Sequence, residues 1–162
     1  LASARTSAAR LVVESGEALT ESLGPGLTHL FPTAEALAGR TLDSFALPRS
    51  RAAALVAVSA ASASGDLLRD HGASRTDVRE RLLAIKGIGP WTTDYVLMRA
   101  VAHPDILLVS DLGTRHALTR LGLAPAAVAE QTVAWRPWRS YAQAHLWQLL
   151  NEPDEEVAPC GP

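Results

Sequence analysis

The chain has 162 residues, of which 48% are hydrophobic and 20% charged, with a formal net charge of −2. That is enough length and apolar content for one well-buried, water-soluble domain, and no apolar run approaches the roughly 18 residues a membrane span needs, nor does a basic stretch lead into an apolar one as in an export leader. The single cysteine, Cys160, excludes a disulfide framework and a cysteine-built metal site.

The chain begins at Leu1, and Ala2 to Val13 reads as a helix already under way, so the expectation is a polypeptide lacking its N-terminal part. Gly24-Pro25-Gly26 is expected to end this first helical region. Pro32 and Thr33 open a short helix through Leu37, with Thr33 as its N-cap. Arg49 to Ala63 gives an Ala-rich helix with Leu55, Val56 and Val58 toward the core, ended by Ser64-Gly65. Thr76 or Ser74 caps the next helix, with Asp77 and Glu80 expected in its first turn, where negative charge is favoured.

That helix carries Val78, Leu82 and Ile85 at helical spacing and then meets Gly87-Ile88-Gly89-Pro90. The two glycines tolerate positive φ and Pro90 suits the first turn of a new helix, so the stretch reads helix, hairpin, helix. Val96, Leu97, Ala100 and Val101 form the expected apolar face of the second helix. Glycines without a Cβ let a partner approach the backbone, and the N–H groups opening the second helix are unsatisfied and partly positive. A phosphate suits such a place.

His103-Pro104-Asp105 breaks the chain, Ile106 to Val109 is a short extended run, and Asp111 begins a helix that includes Arg115 and Leu118. An Asp in this position is ordinarily an N-cap, and Ser110 and Gly113 suit such a turn. Four tryptophans stand out where only 5% of residues are aromatic. Core packing is the default for each of them, and Trp135 and Trp138 are expected to follow it. Beyond Asn151 lies an acidic tail, 152–162. Setting aside Glu152, Asp154, Glu155 and Glu156, residues 1 to 151 carry 15 basic against 13 acidic groups, a balance of +2. Fourteen of the basic residues are Arg and one is Lys86, which favours planar bidentate contacts over diffuse attraction.

The pattern Leu82-x-x-Ile85-x-Gly87-Ile88-Gly89-Pro90-Trp91-Thr92-x-x-Tyr95-Val96, followed by Val109-Ser110-Asp111, resembles the helix-hairpin-helix, Gly/Pro-Asp superfamily of base-excision DNA glycosylases, and within it the 3-methyladenine DNA glycosylase II family. Thr28–Thr33 and Arg49–Arg51 extend the resemblance upstream, and Trp135–Ala142 and His145–Trp147 extend it downstream. It implies an all-α, compact multi-helix domain over residues 1–151. It also implies a monofunctional glycosylase that removes alkylated bases from duplex DNA. Asp111 would be catalytic, because a fixed carboxylate stabilises an oxocarbenium-like sugar or aids an incoming water. Trp91, Tyr95 and Trp147 would line the base pocket, since electron-rich rings favour the positive charge of an N-alkylated purine rotated out of the duplex. Lys86, Gly87, Ile88, Gly89 and Thr92 would meet DNA, and the carbonyls of Leu83, Ile85 and Gly87 would hold a monovalent cation. No other cofactor is implied, and one cysteine cannot hold the four-cysteine iron–sulfur cluster of some relatives.

Relatives with lyase activity carry a lysine two residues after the second hairpin glycine; Trp91 stands there, so water is the expected nucleophile. By the same resemblance, Lys86 occupies a place where proline is common, which makes the turn less rigid, and the expectation is that the duplex-wedging segment and β-rich N-terminal domain of many members are not part of residues 1–162. The expected partner is alkylated double-stranded DNA, bound by a monomer in the cytoplasm, with no membrane association. Two other readings stay open: a noncatalytic helix-hairpin-helix module of a larger repair protein, and a glycosylase for oxidised or mismatched bases.

Overall fold

The computed structural model describes residues 2–21, 24, 26–67, 74–124 and 128–151; Pro25 and the acidic tail with Cys160 lie outside them. Among the described residues the elements are all helical, and one isolated antiparallel bridge joins Ala18 to His29. The chain forms two compact units, Leu1–Ile88 and Gly89–Pro162.

In the first unit, α1 (Ala2–Ser15) ends well before the glycines at which the sequence was expected to stop it. Gly16 is the reason. A Cβ there would lie 2.1 Å from the Leu30 carbonyl oxygen and 2.5 Å from that of Val12, a closeness that only glycine permits. The chain then doubles back, with the Leu19 N–H donating to the Thr28 carbonyl (2.9 Å) and the Leu30 N–H to that of Glu17 (2.8 Å).

Thr33 caps α2 (Ala34–Ala38) by accepting from the Ala36 N–H, as expected, and a 3₁₀ turn at Leu42–Ser44 leads to α3 (Arg49–Ala63). The most buried residues of α3 are Ala52, Ala54 and Ser59, while Leu55 and Val56 are half-buried against a core of Leu37, Phe45 and Ala52. Small side chains there allow close approach of neighbouring backbone. Arg40 sits 5.1 Å from the Phe45 ring centre and donates to the carbonyls of Glu14 and Ser44, joining the end of α1 to the 3₁₀ turn. Of the two candidate caps for α4 (Arg75–Ala84), Ser74 is the one used. Val78 and Leu82 are buried on α4, and its last turn opens into the hairpin.

The second unit starts with α5 (Pro90–Arg99), with Gly89 as N-cap and Pro90 in the first turn. Its buried face is Thr93, Leu97 and Met98: of the expected Val96, Leu97, Ala100 and Val101, only Leu97 is fully buried, with Val96 and Val101 half-buried. The helix stops one residue before Ala100, which is exposed as its C-cap. Residues 106–109 have no strand partner. Their buried N–H groups find side chains of α8 (Arg139–Leu149) instead: Ile106 donates to Ser140 Oγ and Leu108 to Gln143 Oε1, each at 2.9 Å.

Between these lie α6 (Leu112–Arg120), α7 (Val128–Gln131) and a 3₁₀ turn at Val133–Trp135. The core is Ala117, Leu118, Val128 and Leu146, with half-buried Trp135 packed on it. Trp138 does not join the core as expected. It is 59% exposed at the start of α8, with its ring edge-on to Tyr141 at 5.7 Å. Asp105, beside the His103-Pro104 break, is bound by Arg139 through two carboxylate contacts, at 2.5 and 2.9 Å, and through its carbonyl at 3.1 Å. Its carboxyl is therefore held below its usual range, first by the Arg139 hydrogen bond. It is a brace between the break and α8.

Candidate active site

Asp111 is the N-cap of α6, and the ordinary reading and the catalytic one fall on the same carboxylate. Its Oδ2 accepts three hydrogen bonds: from the Thr114 N–H (2.9 Å), the Thr114 hydroxyl (3.0 Å) and the Trp147 indole N–H (3.0 Å). None of the three goes to Oδ1. Burial opposes ionisation and is the largest single influence on this group. The donors from Trp147 and Thr114, with a further contribution from the Trp91 indole, outweigh it and hold the carboxyl below its usual range. Neutral dipoles thus keep Asp111 ionised, whereas Asp105 relies on guanidinium groups.

Gly113 makes room for this arrangement. A Cβ on it would lie 3.1 Å from Asp111 Oδ2 and 3.6 Å from Trp147 Cδ1, so a larger residue would push on the bond between them.

The aromatic residues continue from the carboxylate. Trp91 and Tyr95, four apart on α5, stack with ring centres 5.5 Å apart and planes 23° from parallel. Tyr95 in turn lies 5.9 Å from Trp147 at a 43° tilt. Trp91 and Tyr95 remain 43% and 37% exposed, so these faces are not consumed by core packing. The result is an aromatic run that ends in an ionised carboxylate. A cavity of about 550 Å³ in this unit, lined among others by Leu121, Trp135 and Leu149, contains none of these side chains, whereas a smaller one of about 230 Å³ between Met98, His103 and Tyr141 is bounded by Trp147.

The hairpin residues divide between the units. Lys86, Gly87 and Ile88 belong to the first, where Lys86 is exposed and Gly87 takes φ +94°. A Cβ on Gly87 would come within 3.1 Å of the Ala54 Cβ, so this glycine serves both the turn and the approach to α3. Gly89 and Thr92 belong to the second unit. Gly89 has extended φ (−98°) and no atom within 4 Å of where a Cβ would be, so only one of the two hairpin glycines uses the left-handed region. As an N-cap without a side chain, Gly89 leaves the first N–H groups of α5 uncapped.

Of the three carbonyls expected to hold a cation, that of Ile85 accepts the Ile88 N–H at 3.0 Å and keeps its second lone pair. Among the described residues no group of three or more His, Cys, Asp or Glu side chains gathers as a metal site would require, and no helix is long and apolar enough to cross a membrane.

Thr114 and Gln143 were missed by the sequence reading. A hydroxyl at the third position of a helix whose N-cap is Asp, and a polar residue one turn before Trp147 on α8, are the signals that pointed to them.

The chain is 40% identical over 159 residues to the probable bifunctional transcriptional activator/DNA repair enzyme AlkA of Mycobacterium tuberculosis, a match that takes in 96% of this chain and 32% of that protein. It is 31% identical over 129 residues to DNA-3-methyladenine glycosylase 2 of Escherichia coli, covering 77% of this chain and 45% of the relative. The chain therefore spans about a third to a half of the length of these relatives. No family model matches it. Among solved structures, it superposes on the 3-methyladenine DNA glycosylase from Archaeoglobus fulgidus with a TM-score of 0.69 at 24% identity, over 86% of this chain and 49% of the other. It also superposes on the Schizosaccharomyces pombe 3-methyladenine DNA glycosylase Mag1, in complex with abasic DNA, with a TM-score of 0.68 at 22% identity, over 90% and 73% of the two chains. Over nearly its whole length the chain is therefore similar in sequence to part of the AlkA and DNA-3-methyladenine glycosylase proteins, and it has the helical fold of the solved 3-methyladenine DNA glycosylases.

Proposed function

We propose that this chain carries the base-binding and catalytic part of a DNA glycosylase that releases alkylated bases, of the 3-methyladenine type, from duplex DNA. The observation that carries the reading is the run from Trp91 through Tyr95 to Trp147 and on to the ionised Asp111. A base carrying positive charge gains cation–π attraction from such rings, and a neutral base gains less.

As the N-glycosidic bond lengthens, positive charge develops on the sugar. A carboxylate held ionised by neutral donors opposes that charge without having to lose a proton first. Oδ1, which takes none of the three hydrogen bonds, is the oxygen suited to face the sugar or to orient the attacking water. Trp91 offers no amine, so the base leaves by hydrolysis and the product is an abasic site, with no lyase step. The N–H groups of Gly89, just before α5, and of Thr92 within it are suited to a DNA phosphate, and Lys86, Gly87 and Ile88 are candidate DNA contacts of the first unit. The carbonyls of Leu83, Ile85 and Gly87 are the candidates for a monovalent cation, and the working form is a monomer.

The test is release of free 3-methyladenine from methylated duplex DNA by this chain and by Asp111→Asn. Release by the parent, lost in the variant with DNA binding retained, supports the reading. If both bind DNA and neither releases base, the chain is a binding module. The limited span relative to its relatives makes that outcome the one to weigh against catalysis. Release of oxidised or mismatched bases in place of methylated ones would move the substrate class.

A further inference from the structure

Gln143 is fully buried, and its two amide atoms are both engaged. Oε1 accepts the Leu108 N–H at 2.9 Å, and Nε2 donates to Thr114 Oγ1 at 2.7 Å. The Leu108 N–H can only donate, so the atom facing it must be the amide oxygen, and the amide has one allowed orientation. Thr114 Oγ1 is then occupied as an acceptor from that side. Its own hydrogen is left to point at Asp111 Oδ2, 3.0 Å away. One buried side chain therefore sets the direction of the hydroxyl to which it donates.

The same residue acts on the backbone. The Leu108 carbonyl accepts the Asp111 N–H at 2.9 Å, so Gln143 fixes Leu108 through its N–H, and Leu108 fixes Asp111 through its carbonyl. Trp147, one turn further along the same face of α8, donates directly to Oδ2. Two positions one turn apart on one helix thus reach Asp111 by three routes.

We propose that Gln143 and Thr114 are positioning residues for Asp111, fixing the two Thr114 donors that share Oδ2 with the Trp147 indole, so that Oδ1 is the oxygen presented for chemistry. The assignment rests on the glycosylase reading for its consequence in catalysis, but not for the state of the carboxylate. Loss of the hydroxyl removes one of the neutral donors that outweigh burial, and loss of the amide frees that hydroxyl to turn elsewhere. The influences that lower the Asp111 carboxyl are all neutral donors, and the indoles of Trp147 and Trp91 remain when the Thr114 hydroxyl is lost.

The experiment is a carbon-13 NMR titration of the Asp111 carboxyl, assigned with Asp111→Asn, in the parent, Thr114→Val, Thr114→Ser and Gln143→Met. Base release at saturating DNA is measured alongside. Thr114→Val keeps the shape and removes the hydroxyl, and is expected to move the carboxyl titration upward and slow base release at least about tenfold, with little change in DNA affinity. Thr114→Ser is expected to restore both. Gln143→Met is expected to move the titration the same way, because the hydroxyl is no longer held. An Asp111 titration unchanged in both Thr114→Val and Gln143→Met, in folded protein, overturns the proposal. If Gln143→Met does not fold, the contrast between Thr114→Val and Thr114→Ser decides alone. The titration reads the brace whether or not the chain releases base, so an inactive parent with a shifted titration overturns the glycosylase reading and leaves the brace standing.

Discussion

The indole N–H of Trp147 donates to Oδ2 of Asp111 at 3.0 Å across 36 residues of sequence, so one tryptophan belongs both to the aromatic run and to the hydrogen-bond set of the carboxylate. The two roles separate in Trp147→Phe, which keeps a ring near Tyr95 and removes the donor. A hydrogen bond to a charged group is worth about 1.5–3 kcal/mol, so base release at saturating DNA should fall roughly ten- to a hundredfold. The acid limb of its pH profile should move upward, since Asp111 then loses its charge at a higher pH. Trp147→Ala should add a loss of affinity for methylated DNA. Equal effects of the two variants on rate and affinity would mean that the indole N–H contributes nothing beyond the ring.

Asp105 and Asp111 both titrate below their usual range in the folded chain, through Arg139 in the first case and through Trp147 and Thr114, against burial, in the second. A lowered carboxyl binds fewer protons folded than unfolded, so its contribution to stability is fully present above the unfolded value, about 3.8, and disappears as pH falls through the lower folded value. Thermal unfolding followed from pH 7 downward should show Tm steady and then falling below about pH 4. In Asp105→Asn the midpoint should be lower at neutral pH, and its acid fall shallower. A parallel fall in parent and variant would show that Asp105 is not a source of the acid sensitivity.

The helix-hairpin-helix unit was legible because its signals are local. Glycine and proline punctuate a clear helical period there, and Thr33, Ser74, Pro90 and Asp111 mark helix starts by the chemistry of their own side chains or rings. What the sequence hid depends on distant partners. The early stop of α1 comes from the backbone at Leu30 lying against Gly16. The exposure of Trp138 and the burial of Trp135 follow from which face of each short turn meets the core, and tryptophan carries no mark of that. The site shows the same division. Trp91, Tyr95 and Asp111 were named as candidates from the resemblance, while Gln143, 29 residues from Thr114, looked like an ordinary polar position on a helix.

Gly87 and Gly89 look alike in sequence and do different things. Gly87 has φ +94° and a Cβ site 3.1 Å from Ala54, so Gly87→Ala should cost about 1–2 kcal/mol or more in urea denaturation. Gly89 has extended φ and open space, so Gly89→Ala should cost only the N-cap preference, about 0.5–1 kcal/mol. Among the described residues nothing lies against the open space at Gly89, so a drop in duplex DNA affinity in that variant would report a partner pressed against it. Unchanged affinity would place the DNA contact elsewhere.

Thr93 is fully buried on α5, and its hydroxyl is the one buried side-chain polar atom among the described residues without a hydrogen-bond partner. An unpaired buried hydroxyl has lost its water and gained nothing in return. Thr93→Val keeps the branched shape and removes the polar atom, so it should stabilise the fold by up to about 1 kcal/mol and raise Tm by a few degrees. A lower Tm would show that the hydroxyl has a partner in solution, with an internal water as the first candidate. Base release should be unaffected by the gain in stability, because Thr93 touches none of Trp91, Tyr95, Asp111 or Trp147 through a side-chain hydrogen bond.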